Sequence, residues 1–316
     1  MRSLTPFAIL AVLLGASACA RQGTPQGIHE THTFPAHAGK LVRLDVRSLD
    51  VHVRVAEAET VAVSVELSVH SSSRGWTRRW LERNTPVFED SDSVLEVRLP
   101  ERERHGLFII GFVHTRGRLD LVVPPSCRLE VKTSSGDVRI EGGVTLAGPV
   151  RVNTSSGDVT VTGGVHDLIA DTSSGDVRVS GPDLASLEAE TSSGDVTVTA
   201  GTGTAVVDTS SGDVRLEKLA GNVSADTSSG DVWASWEQLP AGSKVRVRTS
   251  SGDVRLRVPE GAQLKGGLST TSGSLHSQVP ATRDERGRQM SFQATGEAAE
   301  IEVRTGSGDV NLRTRS

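Results

Sequence analysis

The sequence predicts an all-β protein: a parallel β-solenoid (β-helix) of about nine coils, each of about 18–21 residues, behind an irregular β-rich N-terminal cap. Three observations predict it. The hexapeptide Thr-Ser-Ser-Gly-Asp-Val recurs unbroken from Thr133, Thr154, Thr172, Thr191, Thr209, Thr227 and Thr249, with worn copies from Thr270 and Thr305. Apolar residues alternate before each copy, as in Leu129 and Val131 or Val150 and Val152, which is the period of a strand. They alternate again behind each aspartate, as in Val138 and Ile140 or Val196 and Val198. A short fixed period of this kind marks a solenoid.

Each coil then reads as a strand of about five residues, a Ser-Ser-Gly corner, a strand of about four and a return loop of about six. Glycine at the corner is expected to supply a positive φ, and Asp and Ser to bond nearby backbone amides. By alternation the threonine falls on the inward face, so its hydroxyl must find partners among stacked coils. One coil has no core of its own; stacking at about 4.8 Å per rung buries the apolar columns. The calcium-binding β-roll repeats every nine residues with Asp two places after Gly. Here Asp follows Gly directly and the period is double, so the corner is read as a hydrogen-bonded turn.

Residues 1–18 carry Arg2, the apolar run Phe7–Leu14 and Ala16-Ser17-Ala18 before Cys19, the pattern of a secretory signal. The last four residues resemble a bacterial lipobox, which makes Cys19 the acylated first residue of an exported lipoprotein. Ala16 stands where that pattern prefers Leu, and the same residues suit ordinary signal peptidase, so soluble export stays open. Ala20 after the cysteine resembles lipoproteins sorted to the outer membrane. Residues 19–40 read as a lipid-anchored flexible linker, and His29, His32 and His37 within it as solvated, since no Cys or carboxylate pattern completes a metal site.

Residues 41–125 read as the β-rich cap with a degenerate first coil around Asp50–Val53. Thr60–Val69 is its longest alternation, 93–99 and 119–123 supply further strands, and 75–83 is a short helix carrying Trp76 and Trp80 on one face. The run containing Phe108, Ile109, Ile110 and Phe112 is a core strand if buried, and a contact patch for a partner or membrane if exposed. Residues 126–316 form the solenoid proper, with a polar insertion at 280–300 and Arg304, Arg313 and Arg315 guarding the last rung.

A formal net charge of −5 argues against nucleic acid. With Cys19 acylated, Cys127 is the one free sulfur, so no intrachain disulfide is expected. No Tyr is present and Trp and Phe are few, which weakens a carbohydrate-stacking role. Strand, Ser-Gly-Asp-Val corner and strand, opened by Val123-Pro124 and Val258-Pro259, resembles the bacterial DUF4097 family over residues 41–312. The resemblance implies a parallel β-solenoid, export or envelope association, cell-surface attachment as a candidate adhesin or a part in envelope stress, and no catalytic residues.

Two outward columns stand out. On the second strand Arg139, Arg178, Arg215 and Arg255 interleave with Thr160, Thr197 and Trp233 and are expected to neutralise the stacked aspartates across rungs. On the first strand Asp171, Glu190, Asp208 and Asp226 follow one another with no cation between them, a stripe that a basic partner or a divalent cation would relieve, or that serves only solubility. Catalysis needs unlike groups converging in a cleft, whereas these columns repeat like groups. The reading is therefore an exported, non-enzymatic envelope protein without cofactor or resident metal, presenting a repetitive face to an envelope protein or cell-surface polymer. The alternatives are an envelope-stress sensor binding a ligand or regulator and, more weakly, a carbohydrate-active β-helix enzyme.

Overall fold

The computed structural model describes residues 26–70, 74–100, 114–181, 183–294 and 296–315. Within them the chain is all-β except for one helix, Arg74–Asn84. Its strands join one large sheet, parallel through the body and antiparallel at both ends. Each repeat contributes one strand on either side of its corner, so the body consists of two parallel ladders in matched register. Val150 lies beside Leu168 and Thr154 beside Thr172 in the first ladder, while Val159 lies beside Val177 in the second. The alternating apolar residues all point between the ladders: Val131, Val152, Ala170, Ala189, Val207, Ala225 and Val247 are at most 2 % exposed.

Two layers lie out of chain order. Leu41–Asp45 and Asp50–Val55 form the layer beside Arg128–Lys132 and Val138–Gly142, and the later strands Val94–Arg98 and His114–Val123 pack on its outer side. At the other end Ala299–Thr305 and Val310–Arg315 are tucked between the layer of Lys244–Thr249 and Val254–Pro259 and that of Leu264–Thr270 and Leu275–Ser277. Arg304, Arg313 and Arg315 therefore stand on an inner layer, contrary to the expectation that they guard an exposed last rung. The sequence-last coil is not the space-last one, because all coils carry equivalent apolar columns and pair equally well. The outer edge is closed instead by the 280–300 segment, whose strand Gln289–Gln293 runs antiparallel to Leu264–Thr270. The Arg283 guanidinium also donates to the Leu275 carbonyl.

The N-terminal end is closed by antiparallel strands. Thr60–His70 lies along His114–Val123, Gln26–Pro35 lies along Thr60–His70, and Val87–Asp90 lies along Val94–Arg98. The expected flexible linker at 19–40 is thus a ten-residue strand from Gln26 onward. Ile28, Glu30, His32 and Phe34 alternate on its half-buried face, and the polar pair among them masks the period. The His32 ring lies 4.3 Å from that of Phe88. Lys40 is buried, donating from Nζ to Asp90 Oδ1 at 2.6 Å and the Pro35 carbonyl at 2.8 Å, which fastens this strand to the opposite ladder's edge. Cys127 is a buried free thiol, and burial pushes its pKa up.

The corner explains the hexapeptide. Thr191 Oγ1 accepts the N–H of Gly194 in its own layer at 3.0 Å and donates to the Gly175 carbonyl of the preceding layer at 3.4 Å. Thr172, Thr209 and Thr227 repeat both contacts. Each aspartate's Oδ1 accepts the backbone N–H of the next aspartate: Asp158 from Asp176 at 2.9 Å, Asp176 from Asp195 at 2.8 Å, and onward to Asp253, which takes that of Asp309 at 2.9 Å. This chain of bonds follows the tucked order, ending with Asp309 and Ser274. The corner glycines do not have the expected positive φ. A Cβ on Gly194 would instead overlap the Gly175 carbonyl oxygen, so glycine is required for backbone to approach backbone between layers.

Gly194→Ala is expected to destabilise the fold by at least about 3 kcal/mol, whereas Gly143→Ala, whose Cβ meets nothing within 4 Å, changes stability by less than about 0.5 kcal/mol. Thr191→Val keeps the shape but strands the Gly194 N–H and the Gly175 carbonyl, and is expected to cost about 1–3 kcal/mol. Urea denaturation followed by circular dichroism measures all three.

Candidate functional site

The in-register first ladder brings Asp171, Glu190, Asp208 and Asp226 into one line on neighbouring strands, as the alternation predicts. Asp171, Glu190 and Asp208 are exposed and Asp226 is half-buried. At one end Asn153 Nδ2 donates to Asp171 Oδ2 at 2.9 Å. At the other end the column continues into Arg248 and then Arg304, because the tucked layer places Ala299–Thr305 beside Lys244–Thr249. These guanidiniums turn aside to Glu302, at 3.9 Å from Arg248 and 2.6 Å from Arg304, and Arg246 joins them at 3.3 Å. Among the described residues none of the four stripe carboxylates has an ion pair.

Four carboxylates spaced one strand apart along a line do not converge on a point. A cation such as calcium takes six to eight oxygens at about 2.4 Å, and among the described residues no three His, Cys, Asp or Glu side chains form a metal-holding group. The arrangement supplies instead an extended negative potential fixed on a rigid backbone.

On the second ladder the arginine column behaves partly as expected. Arg178 pairs with Asp158 at 2.8 Å and with Asp176, and the hydrogen bond it donates to Asp158 first, then the nearby aspartate charges, raise its pKa. Arg255 likewise bridges Asp231 and Asp253, at 3.1 and 2.8 Å. Arg215 departs from the pattern: it pairs with Glu217 at 2.7 Å and stacks over the Trp233 ring at 4.5 Å. Arg257 approaches the same ring at 5.8 Å. The aspartates bond backbone amides as expected, but each Oδ1 takes the amide of the next layer rather than one in its own turn.

Cys19 and the run Phe108, Ile109, Ile110 and Phe112 lie outside the described residues. Among the described residues no helix is long and apolar enough to cross a membrane.

The Toastrack DUF4097 family model matches residues 41–313. The chain belongs to that family. The match takes in both tucked layers and the four stripe carboxylates, and it begins after Cys19. Among solved structures the Toastrack chain is similar to a candidate adhesin from Parabacteroides merdae, at 12% identity over 91% of this chain and 96% of that one, with a TM-score of 0.46. A candidate adhesin from Parabacteroides distasonis is 13% identical over 92% of this chain and 97% of its own, with a TM-score of 0.43. A third, from Bacteroides fragilis, is 8% identical over 94% of this chain and 100% of its own, with a TM-score of 0.40. No curated protein matches the chain.

Self-repulsion along the stripe yields a simple expectation. Asp208→Asn stabilises the fold at low ionic strength by about 0.2–1 kcal/mol, and the gain fades in high salt as screening shortens the range of the repulsion. Thermal melts at two salt concentrations measure it.

Proposed function

We propose that this is an exported, non-enzymatic envelope protein, lipid-anchored through Cys19 to the outer membrane, whose stacked β-solenoid presents rigid repeating faces for adhesive or structural contact. The single observation that carries this reading is the matched register of the layers, which turns a short repeat into long columns of like groups. Adhesion to an extended partner needs a surface that is long and stiff, and each added layer extends the columns by about 4.8 Å. The family match supports an envelope setting, since the resemblance implies it. The acidic stripe favours a basic partner, an envelope protein or a cell-surface polymer bearing ammonium groups, because such a partner removes the repulsion between Asp171, Glu190, Asp208 and Asp226. Binding rather than catalysis is the chemistry that repeated like groups serve best.

Two experiments test the reading. Cell fractionation is expected to place the native chain with the outer membrane and Cys19→Ser in the soluble periplasmic or secreted fraction; an unchanged distribution removes the lipid anchor. Capture of envelope material by the purified body is expected to yield polymer or whole cells, with binding reduced about tenfold or more by the double change Asp208→Lys, Asp226→Lys. Recovery of one stoichiometric protein that binds the double variant equally well points to a regulator-binding sensor instead.

A further inference from the structure

The acidic stripe ends at Arg248, one layer before the chain order breaks. Asp226 and Arg248 are direct partners across neighbouring strands, yet Arg248 and Arg304 are drawn to Glu302 and leave the facing carboxylates uncompensated. A groove of about 480 Å³ opens there, with Asp208 and Asp226 on one side and Arg248 and Arg304 on the other. Thr209, Thr227 and Thr249 also line it, with their side chains turned inward and at most 6 % exposed, and Ser210, Ser228 and Ser250 follow them. Arg248 stands on the layer that follows Asp226 in chain order and Arg304 joins it from the tucked layer, so half of the positive wall depends on the broken order at this end.

From this geometry we infer that the groove is a binding site for a small zwitterion, namely a short peptide with both termini free. Its ammonium group lies against Asp208 and Asp226 and its carboxylate against Arg248 and Arg304. A ligand carrying one sign of charge satisfies one wall and leaves the other unmatched, whereas a zwitterion matches both and lies along the existing sign change. The size is set by the layers. Asp208 and Arg304 are three strand spacings apart, about 14 Å, and long side chains reach inward from both ends. An extended peptide of about three residues, roughly 10 Å, fills the remainder. Glu302 pairs with Arg246, Arg248 and Arg304, so a ligand carboxylate shares the last two with it. This inference shares Asp208 and Asp226 with the proposed adhesive face but does not depend on it, because a small peptide does not need a long face.

Isothermal titration calorimetry with triglycine, N-acetyl-triglycine and triglycine amide tests it on the exported form of the chain. Triglycine is expected to bind, and capping either terminus to weaken binding about tenfold or more. Asp226→Asn is expected to remove the penalty for acetylation while keeping that for amidation, and Arg248→Gln to do the reverse. Melting midpoints close to the parent's establish that both variants remain folded. Equal binding of all three peptides, or no heat from any of them at several millimolar, overturns the inference. Envelope capture by the same protein reads the long face separately, so failure of one is distinguishable from failure of the other.

Discussion

The structure depends on how closely the backbone of one corner approaches that of the next. With glycine at each corner, the carbonyl of one layer sits where a β-carbon would otherwise lie, as at Gly194 above Gly175. That approach lets the threonine hydroxyl reach both its own glycine N–H and the preceding glycine carbonyl, and lets the aspartate carboxylate reach the next backbone N–H. Three residue types thus fix one spacing and one register, and the strands on either side follow. The valine columns bury apolar surface, which is the larger driving force, but burial is indifferent to sliding along the stack. The polar corner removes that freedom.

The most repeated residues are therefore absorbed by the architecture, and the chemistry left over for partners lies at positions that vary. Asp176 is fixed and half-buried at one face, and its carboxylate already holds the Asp195 N–H and Arg178. Asp208 is a variable position, occupied by Lys132 and Asn153 in earlier copies, and has neither kind of partner. A repeat protein of this type separates the two tasks by strand face: inward and corner positions specify the stack, while outward strand positions write its surface. Trp233, set between Arg215 and Arg257 where other copies carry Thr or Arg, is a second such local inscription.

Much of this was legible in the sequence, and the part that was not has definite causes. Alternation around each hexapeptide located the strands and the inward threonines, because side-chain direction in a strand has a strict period of two. The purpose of the glycine was misread, since a tight bend and a close interlayer approach both favour the residue, and only coordinates separate φ from steric contact. The strand Gln26–Pro35 was hidden by Glu30 and His32 on its half-buried face. The layer order at each end was invisible for a different reason: Val303 and Leu268 are equally good neighbours for Val247, so local pattern carries no information about which coil docks first. For the site, the stripe from Asp171 to Asp226 was readable as a column, whereas its continuation into Arg304 depended on that unreadable order.

The C-terminal coil lies on an inner layer, with a strand paired on each side of it. A copy added after it has no free ladder to join. Copies added between residues 128 and 259, where order in the chain and order in space agree, find a ready neighbour on each side. Reach is consequently a quantity that duplication in the middle adjusts freely, with the two closures and the sign change near the far one carried along unchanged.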